Sequence, residues 1–220
     1  MMDLPSSTFF GRKIQKKKFY DNISITPQLK RVFVEQINQI VWQNKIAPST
    51  TNIAAGERVE ELEIIVIKLN QRNLNPKVLS QIDRALPYHI LFLLEYQDET
   101  QAWIGYKEAN KAKPGTFKLG TYYHTDWVPN GNLPLKLNGL NMDAVYESLI
   151  RQIAGDRLAP DGTLYTTDIK EAIAHDEQRQ KFHKKIAVLE KKVQSEKQFN
   201  RQMGLNSELK QLRIELESLI

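Results

Sequence analysis

The sequence of 220 residues contains no cysteine. This absence excludes disulfide bonds, thiolate metal sites and cysteine nucleophiles. The nucleotide-binding patterns Gly-x-x-x-x-Gly-Lys-[Ser/Thr] and Gly-x-Gly-x-x-Gly are absent, and so is the hydrolase pattern Gly-x-Ser-x-Gly. No apolar run approaches the roughly 20 residues of a membrane-spanning helix. We therefore expect a cytoplasmic protein that has no cofactor, no metal ion and no membrane contact.

The composition is that of a globular protein, with 41% hydrophobic and 26% charged residues. Basic residues outnumber acidic ones, which gives a formal net charge of +5. A positive charge of this size permits a nucleic-acid partner but does not require one.

Five positive charges lie close together near the start of the chain. Residues 1–20 are predicted to form a basic N-terminal arm. Such a cluster could neutralise DNA phosphates without reading the base sequence. The alternative is a solvated arm without a binding role. The five residues are Arg12, Lys13, Lys16, Lys17 and Lys18.

Residues 21–160 are predicted to form an α+β domain. Thr26 and Pro27 indicate the start of a helix, which apolar residues at helical spacing extend to about Asn44. Two further helices are predicted over 75–85 and 141–154. Strand patterns cover 59–69, 88–96, 101–107 and 117–128. We expect a small, largely antiparallel four-stranded sheet with flanking helices.

Residues 161–220 are predicted to form a long C-terminal helix with coiled-coil character. Five leucines repeat at the spacing 4-3-4-3, which is typical of a coiled-coil seam. Glu196 interrupts the apolar stripe, which predicts either a stutter or a break near Gly204. Because the seam has to be buried, we expect it to bind a partner. We call these five leucines the seam: Leu205, Leu209, Leu212, Leu216 and Leu219.

A few polar residues allow a divergent metal-dependent nuclease as an alternative. In such enzymes an acidic residue at a strand end and a Glu-x-Lys motif on the next strand hold magnesium and activate water. No Glu-x-Lys motif occurs at the expected place in this sequence. A solvated hairpin turn and a structural histidine are the simpler interpretation. The candidates are Glu63, Glu95, Asp98, Lys107 and His124.

Several strings, none of them a catalytic motif, together carry a family resemblance. They are Lys16-Lys-Lys-Phe-Tyr20, Pro87-Tyr-His-Ile-Leu-Phe-Leu-Leu-Glu-Tyr96, Ala102-Trp-Ile-Gly-Tyr-Lys107, Gly139-Leu-Asn-Met-Asp-Ala-Val-Tyr146, Arg151-Gln-Ile-Ala-Gly155 and Glu196-Lys-Gln-Phe-Asn-Arg201. Nearly the whole chain resembles a family of uncharacterised bacterial proteins, a domain of unknown function. Its members are often encoded beside DNA methyltransferases and superfamily 2 helicases in restriction-like or phage-defence loci. The resemblance implies a context but supplies no catalytic residues.

Three functional hypotheses follow. The first is an accessory subunit of a restriction-like or anti-phage defence complex. This subunit would assemble through its C-terminal helix with itself or with a helicase or methyltransferase, and its basic arm would touch DNA. The second is a metal-dependent nuclease of the same kind of system. The third is a stand-alone nucleic-acid-binding module, for which affinity should fall steeply with salt.

Overall fold

The computed structural model describes residues 2, 4–21, 25–110, 112, 116–159 and 168–219. The strands are β1 (Phe9–Ile14), β2 (Ile37–Ile46), β3 (Leu62–Leu69), β4 (His89–Tyr96), β5 (Glu99–Ala109), β6 (Phe117–His124) and β7 (Val128–Pro129). The helices are α1 (Lys17–Asp21), α2 (Pro27–Glu35), α3 (Lys77–Ala85), α4 (Met142–Ala154), α5 (Ile169–Ser195) and α6 (Phe199–Glu217). The chain divides into two compact units, Met1–Ala154 and Gly155–Ile220. The boundary predicted at 160/161 lies outside the described residues.

The first unit is built on a mixed sheet of seven strands. Strands β1 to β6 lie side by side in chain order, and β7 pairs with the start of β5. The neighbours β3 and β4 are parallel, and the crossover through α3 joins them. The α+β class and a long C-terminal helix are therefore confirmed. The prediction of a four-stranded, largely antiparallel sheet is wrong, because the sheet is larger and mixed.

The largest error in the predicted elements concerns residues 36–46. The helix that begins after Thr26 ends at Glu35, and β2 takes up the rest of the segment. Two register shifts in the β2–β3 pairing, at Ile37/Gln39 and Trp42/Asn44, break the period of two. The buried residues of β2 consequently follow a spacing that imitates a helix.

One face of the sheet carries a continuous hydrophobic core. The first three helices pack on this face, and Phe33 of α2 and Phe92 of β4 are fully buried within it. The central strands contribute further residues to the same core, β3 through Ile65 and Ile67 and β4 through Ile90. Burial on both faces explains why these two strands are almost uninterrupted apolar runs.

The other face is covered in part by α4, which packs across β5 and β6. Tyr146 of this helix fixes an irregularity of β5, where the pairing with β6 shifts between Gly105 and Lys107. The Tyr146 hydroxyl donates to the Gly105 carbonyl at 2.6 Å and accepts from the Lys107 backbone N–H at 2.9 Å. It thereby satisfies backbone groups that the irregular pairing leaves without strand partners.

The second unit consists mainly of two helices. Helix α5 has 27 residues, begins at the N-cap Asp168 and ends at Ser195. The chain then turns at residues 196–198, and α6 begins at Phe199. The break falls at Glu196, the residue that interrupts the apolar stripe ahead of the seam. Gly204 lies inside α6, so the helix does not break there.

Candidate functional site

The seam of α6 faces α5 within the same chain. Gln202 donates to the Val193 carbonyl of α5 at 3.2 Å, and Arg213 pairs with Glu190 at 2.8 Å. Leu209 lies seven residues after the first contact and four before the second, on the same side of α6. It is buried, whereas the other four leucines of the seam are half-buried. The helices form an antiparallel hairpin, so the seam gains much of its burial without a second chain.

A second set of apolar side chains on α6 points into solvent. Helical spacing places Phe199, Met203 and Ile214 within about 60° of one another around the helix, away from the seam. We call these three residues the outer stripe. Their exposed fractions are 71%, 58% and 51%. Of the seven large hydrophobic residues that are exposed among the described residues, four lie in the hairpin, namely these three and Val188.

The predicted basic arm is part of the first unit. Arg12 and Lys13 lie on β1, at the edge of the described sheet, and both are exposed. Lys17 and Lys18 are exposed in α1. Lys16 is half-buried and donates to the Ile37 carbonyl at 2.6 Å. Four exposed cations thus occupy the start of the unit on a hydrogen-bonded strand and a short helix.

A buried ion pair joins α3 to β5. The Lys107 ammonium lies 2.6 Å from the Asp83 carboxylate, and each side chain is only 1% exposed. Lys107 also donates to the carbonyls of Asp83 and Tyr88 at the end of α3, where a positive charge is favourable. Burial raises the pKa of Asp83 and lowers the pKa of Lys107. This ion pair and its hydrogen bonds join the crossover helix to the sheet.

Gly105 leaves room for a hydrogen bond from Tyr122 to the carboxylate of the buried ion pair. The Tyr122 hydroxyl donates to the second carboxylate oxygen of Asp83 across this glycine. A Cβ atom at position 105 would lie 2.7 Å from the Tyr122 ring and 3.2 Å from that oxygen. Any larger residue would therefore push the tyrosine away from the carboxylate. Burial raises the pKa of Tyr122, which stays a neutral donor.

Two further titratable groups are buried at the start of the parallel strands. The indole N–H of Trp42 donates to one oxygen of Glu63, and the other oxygen has no hydrogen bond in the described structure. Burial raises the pKa of Glu63 to about 7. His89 contacts the rings of Phe117 and Tyr146. Burial lowers its pKa to about 4. At neutral pH this histidine is therefore uncharged.

The five nuclease candidates do not come together. Glu63 is the second residue of β3, whereas Glu95 is the last but one of β4 and pairs in register with Lys68, five residues further along β3. Asp98 lies in the turn after β4, and Lys107 is engaged by Asp83. His124 stacks on Trp103, with the ring centroids 4.3 Å apart. Within the described ranges, no group of three or more histidine and carboxylate side chains could hold a metal ion.

Sequence reasoning missed several residues of these surfaces and networks. Asp83 was not recognised, because it occurs in an ordinary amphipathic helix and its partner is 24 positions away. The outer stripe was not predicted, and only the interruption at Glu196 indicated an irregular apolar pattern in this segment. The sequence nevertheless contains a signal for this surface. Helix α6 carries apolar residues on two sides, and only one of these sides can pack on α5.

The structure defines an α+β protein in which a mixed sheet is followed by a helical hairpin. The chain belongs to the family described as a domain of unknown function, DUF4391, whose model matches residues 2–216. The predicted resemblance is confirmed at this level, and the genomic neighbourhood stays a prediction. No curated protein and no solved structure matches the chain. No helix in the described ranges is long and apolar enough to cross a membrane.

Proposed function

We propose that the chain is an accessory subunit of a bacterial restriction-like or anti-phage defence complex, and that it binds its partner through the α5–α6 hairpin. The observation that carries this proposal is the outer stripe. Three large apolar side chains on one side of α6 are exposed to water, which is typical of a protein–protein contact surface. The partner is a helicase or DNA methyltransferase of the same system, or a second copy of the chain.

The seam and the outer stripe have different roles in this proposal. The seam holds α6 against α5, so polar residues at Leu209 and Leu212 should abolish assembly by opening the hairpin. The outer stripe contacts the partner directly. Polar residues at Phe199 and Met203 should therefore abolish assembly while the hairpin stays closed.

The decisive measurement is the mass in solution, alone and after co-expression with a helicase or methyltransferase encoded beside the gene. We expect a defined oligomer or a stable heterocomplex. The double variant Phe199→Glu, Met203→Glu should run as a monomer with unchanged helicity. Leu140→Glu is the matched control, because Leu140 is also an exposed apolar residue but lies in the first unit. A wild-type chain that stays monomeric with every neighbour would overturn the proposal.

The exposed cations at the start of the first unit support a contact with the DNA backbone. Arg12 and Lys13 on an edge strand, followed by Lys17 and Lys18, can neutralise phosphates without reading bases. Each phosphate contact that is lost lowers the slope of log K against log salt by about 0.9. The variant Lys13→Glu, Lys17→Glu should lower that slope by roughly 2.

The control for this contact is the variant Lys77→Glu, Lys136→Glu, which changes the net charge equally at two exposed lysines elsewhere in the first unit. If both double variants lower the slope equally, the effect is one of net charge and not of a DNA-binding edge. Steep salt dependence of the isolated chain, with no partner present, would favour the stand-alone nucleic-acid-binding module.

A further inference from the structure

The second face of the sheet is only partly covered by secondary structure. Helix α4 packs across β5 and β6. Over the central strands, this face is lined by residues 4–6 of the segment before β1 and by Asn130, Gly131 and Leu133 of the loop after β7. Such segments fill space less completely than a packed helix. A cavity of about 370 Å³ remains beneath them, which is within the size range of small-molecule sites.

The floor and the rim of this cavity differ in character. Ile64, Val66 and Leu93 of the central strands form an apolar floor and are buried. The rim includes Ser6 and Gly131, which are exposed. A molecule could therefore enter from solvent and place an apolar body against the strands.

Among the described residues that line the cavity, Glu95 is the single charged one. It is half-buried at the end of β4, and its carboxylate is 3.7 Å from the Lys68 ammonium, which is too long for a direct hydrogen bond. The neighbouring Thr100 hydroxyl already donates to Asn130. The wall thus presents acceptor oxygens of a carboxylate beside an apolar floor.

We propose that this cavity is a binding site for a small organic molecule with an apolar body and a cationic amine head. The body packs on Ile64, Val66 and Leu93, and the amine pairs with Glu95. Charge complementarity selects the head group, because a cationic head is attracted to the Glu95 carboxylate, which is 3.7 Å from the Lys68 ammonium, and an anionic head is repelled by it. The volume limits the ligand to a small molecule. The described lining of this cavity shares no residue with the outer stripe or with the four exposed cations at the start of the first unit.

The test uses three probes with the same phenylbutyl body, namely 4-phenylbutylamine, 4-phenylbutyrate and 4-phenylbutanol. Binding is followed by NMR shifts of the Ile64, Val66 and Leu93 methyl groups. We expect saturable shifts with the amine and at least tenfold weaker binding of the carboxylate. Glu95→Gln should weaken amine binding about tenfold and leave binding of the alcohol unchanged.

Two further variants keep the test decisive. Asp98→Asn removes a nearby charge that does not line the cavity, so it should leave amine binding unchanged. Ser6→Trp adds a bulky side chain at an exposed rim position, where folding should tolerate it, and should weaken binding of all three probes. The proposal is overturned if no probe shifts the floor methyl groups at millimolar concentration. It is also overturned if the carboxylate binds as well as the amine, or if Asp98→Asn matches Glu95→Gln.

Discussion

The sheet unit has a buried ion pair, and the helical hairpin has an exposed apolar stripe. In the sheet unit, even the charged side chains of Asp83 and Lys107 are buried, and they form an ion pair with each other within the unit. The buried charges of this pair therefore have their counter-charges within the sheet unit. In the hairpin, Phe199 and Met203 are exposed to solvent although they are apolar. The hairpin has apolar surface beyond what its two helices can cover, so a protein partner should be sought there.

The largest effect should come from breaking the buried ion pair of the sheet unit. Asp83→Ala leaves the Lys107 ammonium buried without a counter-charge and removes the acceptor of Tyr122. Removing one partner of such a pair typically costs about 3–5 kcal/mol. We expect a loss of this size in the free energy of unfolding, measured by urea denaturation.

The control for this prediction is the exposed pair Arg72–Glu99, whose N–O distance is 3.0 Å. Glu99→Ala should cost less than about 1 kcal/mol, because exposed pairs are screened by water. The double variant Asp83→Leu, Lys107→Met should recover most of the stability lost in Asp83→Ala. A cost for Asp83→Ala no larger than that for Glu99→Ala would show that the buried pair does not hold α3 to the sheet.

The next effect concerns Glu63 and His89, which should oppose each other as the pH changes. The folded-state pKa of Glu63 is raised from 4.5 to about 7, so the folded state retains a proton that the unfolded chain releases. Stability from this group falls as the pH rises through that window. The pKa of His89 is lowered from 6.5 to about 4, so the unfolded chain binds the extra proton. Stability from His89 therefore rises with pH.

Variants should separate the two contributions. Relative to wild type, Glu63→Gln should gain up to about 3 kcal/mol in the free energy of unfolding between pH 4.5 and values above 7. His89→Phe should gain stability relative to wild type as the pH falls from 6.5 to 4. Urea denaturation at a series of pH values measures both differences. A pH-independent difference for Glu63→Gln would mean that the pKa of Glu63 is the same in the folded and the unfolded protein.

A smaller effect is expected from the seam. Leu209 is the one buried residue of α6, and truncating a buried leucine to alanine costs about 2 kcal/mol at the lower end of the usual range. Leu209→Ala should speed amide hydrogen exchange in α6 and leave exchange in β3 and β4 unchanged. Equal acceleration in the strands would mean that the hairpin and the sheet unfold together.

The parts of the fold that were predicted from sequence share a clear local signal. The helices α3 and α4 have regular amphipathic spacing, and β4 is a continuous apolar run ahead of a turn. Strand β2 was not predicted, because its bulges displace the alternating pattern on which strand prediction depends. Strand β1 was not predicted, because its charged residues indicated a solvated arm. In both cases the deciding contact is a pairing with a strand elsewhere in the chain.

The candidate sites were less predictable than the fold for the same reason. A buried ion pair such as Asp83–Lys107 depends on two residues that only the packed structure brings together. The seam was recognised because a heptad repeat is local. The packing of the seam on α5 was not predicted, because the turn at residues 196–198 that folds α6 back contains neither proline nor glycine.

The smallest effect on stability should come from the outer stripe. Phe199→Gln and Met203→Gln remove exposed apolar side chains that contribute little to the folded hairpin, so each should change the free energy of unfolding by less than about 0.5 kcal/mol. Leu209→Ala provides the contrast, because it truncates the buried leucine on the other side of α6 and should cost about 2 kcal/mol. Urea denaturation of the isolated chain measures all three. A cost near 2 kcal/mol for either glutamine variant would show that the stripe is covered within the chain, and the argument for a partner at this surface would fail.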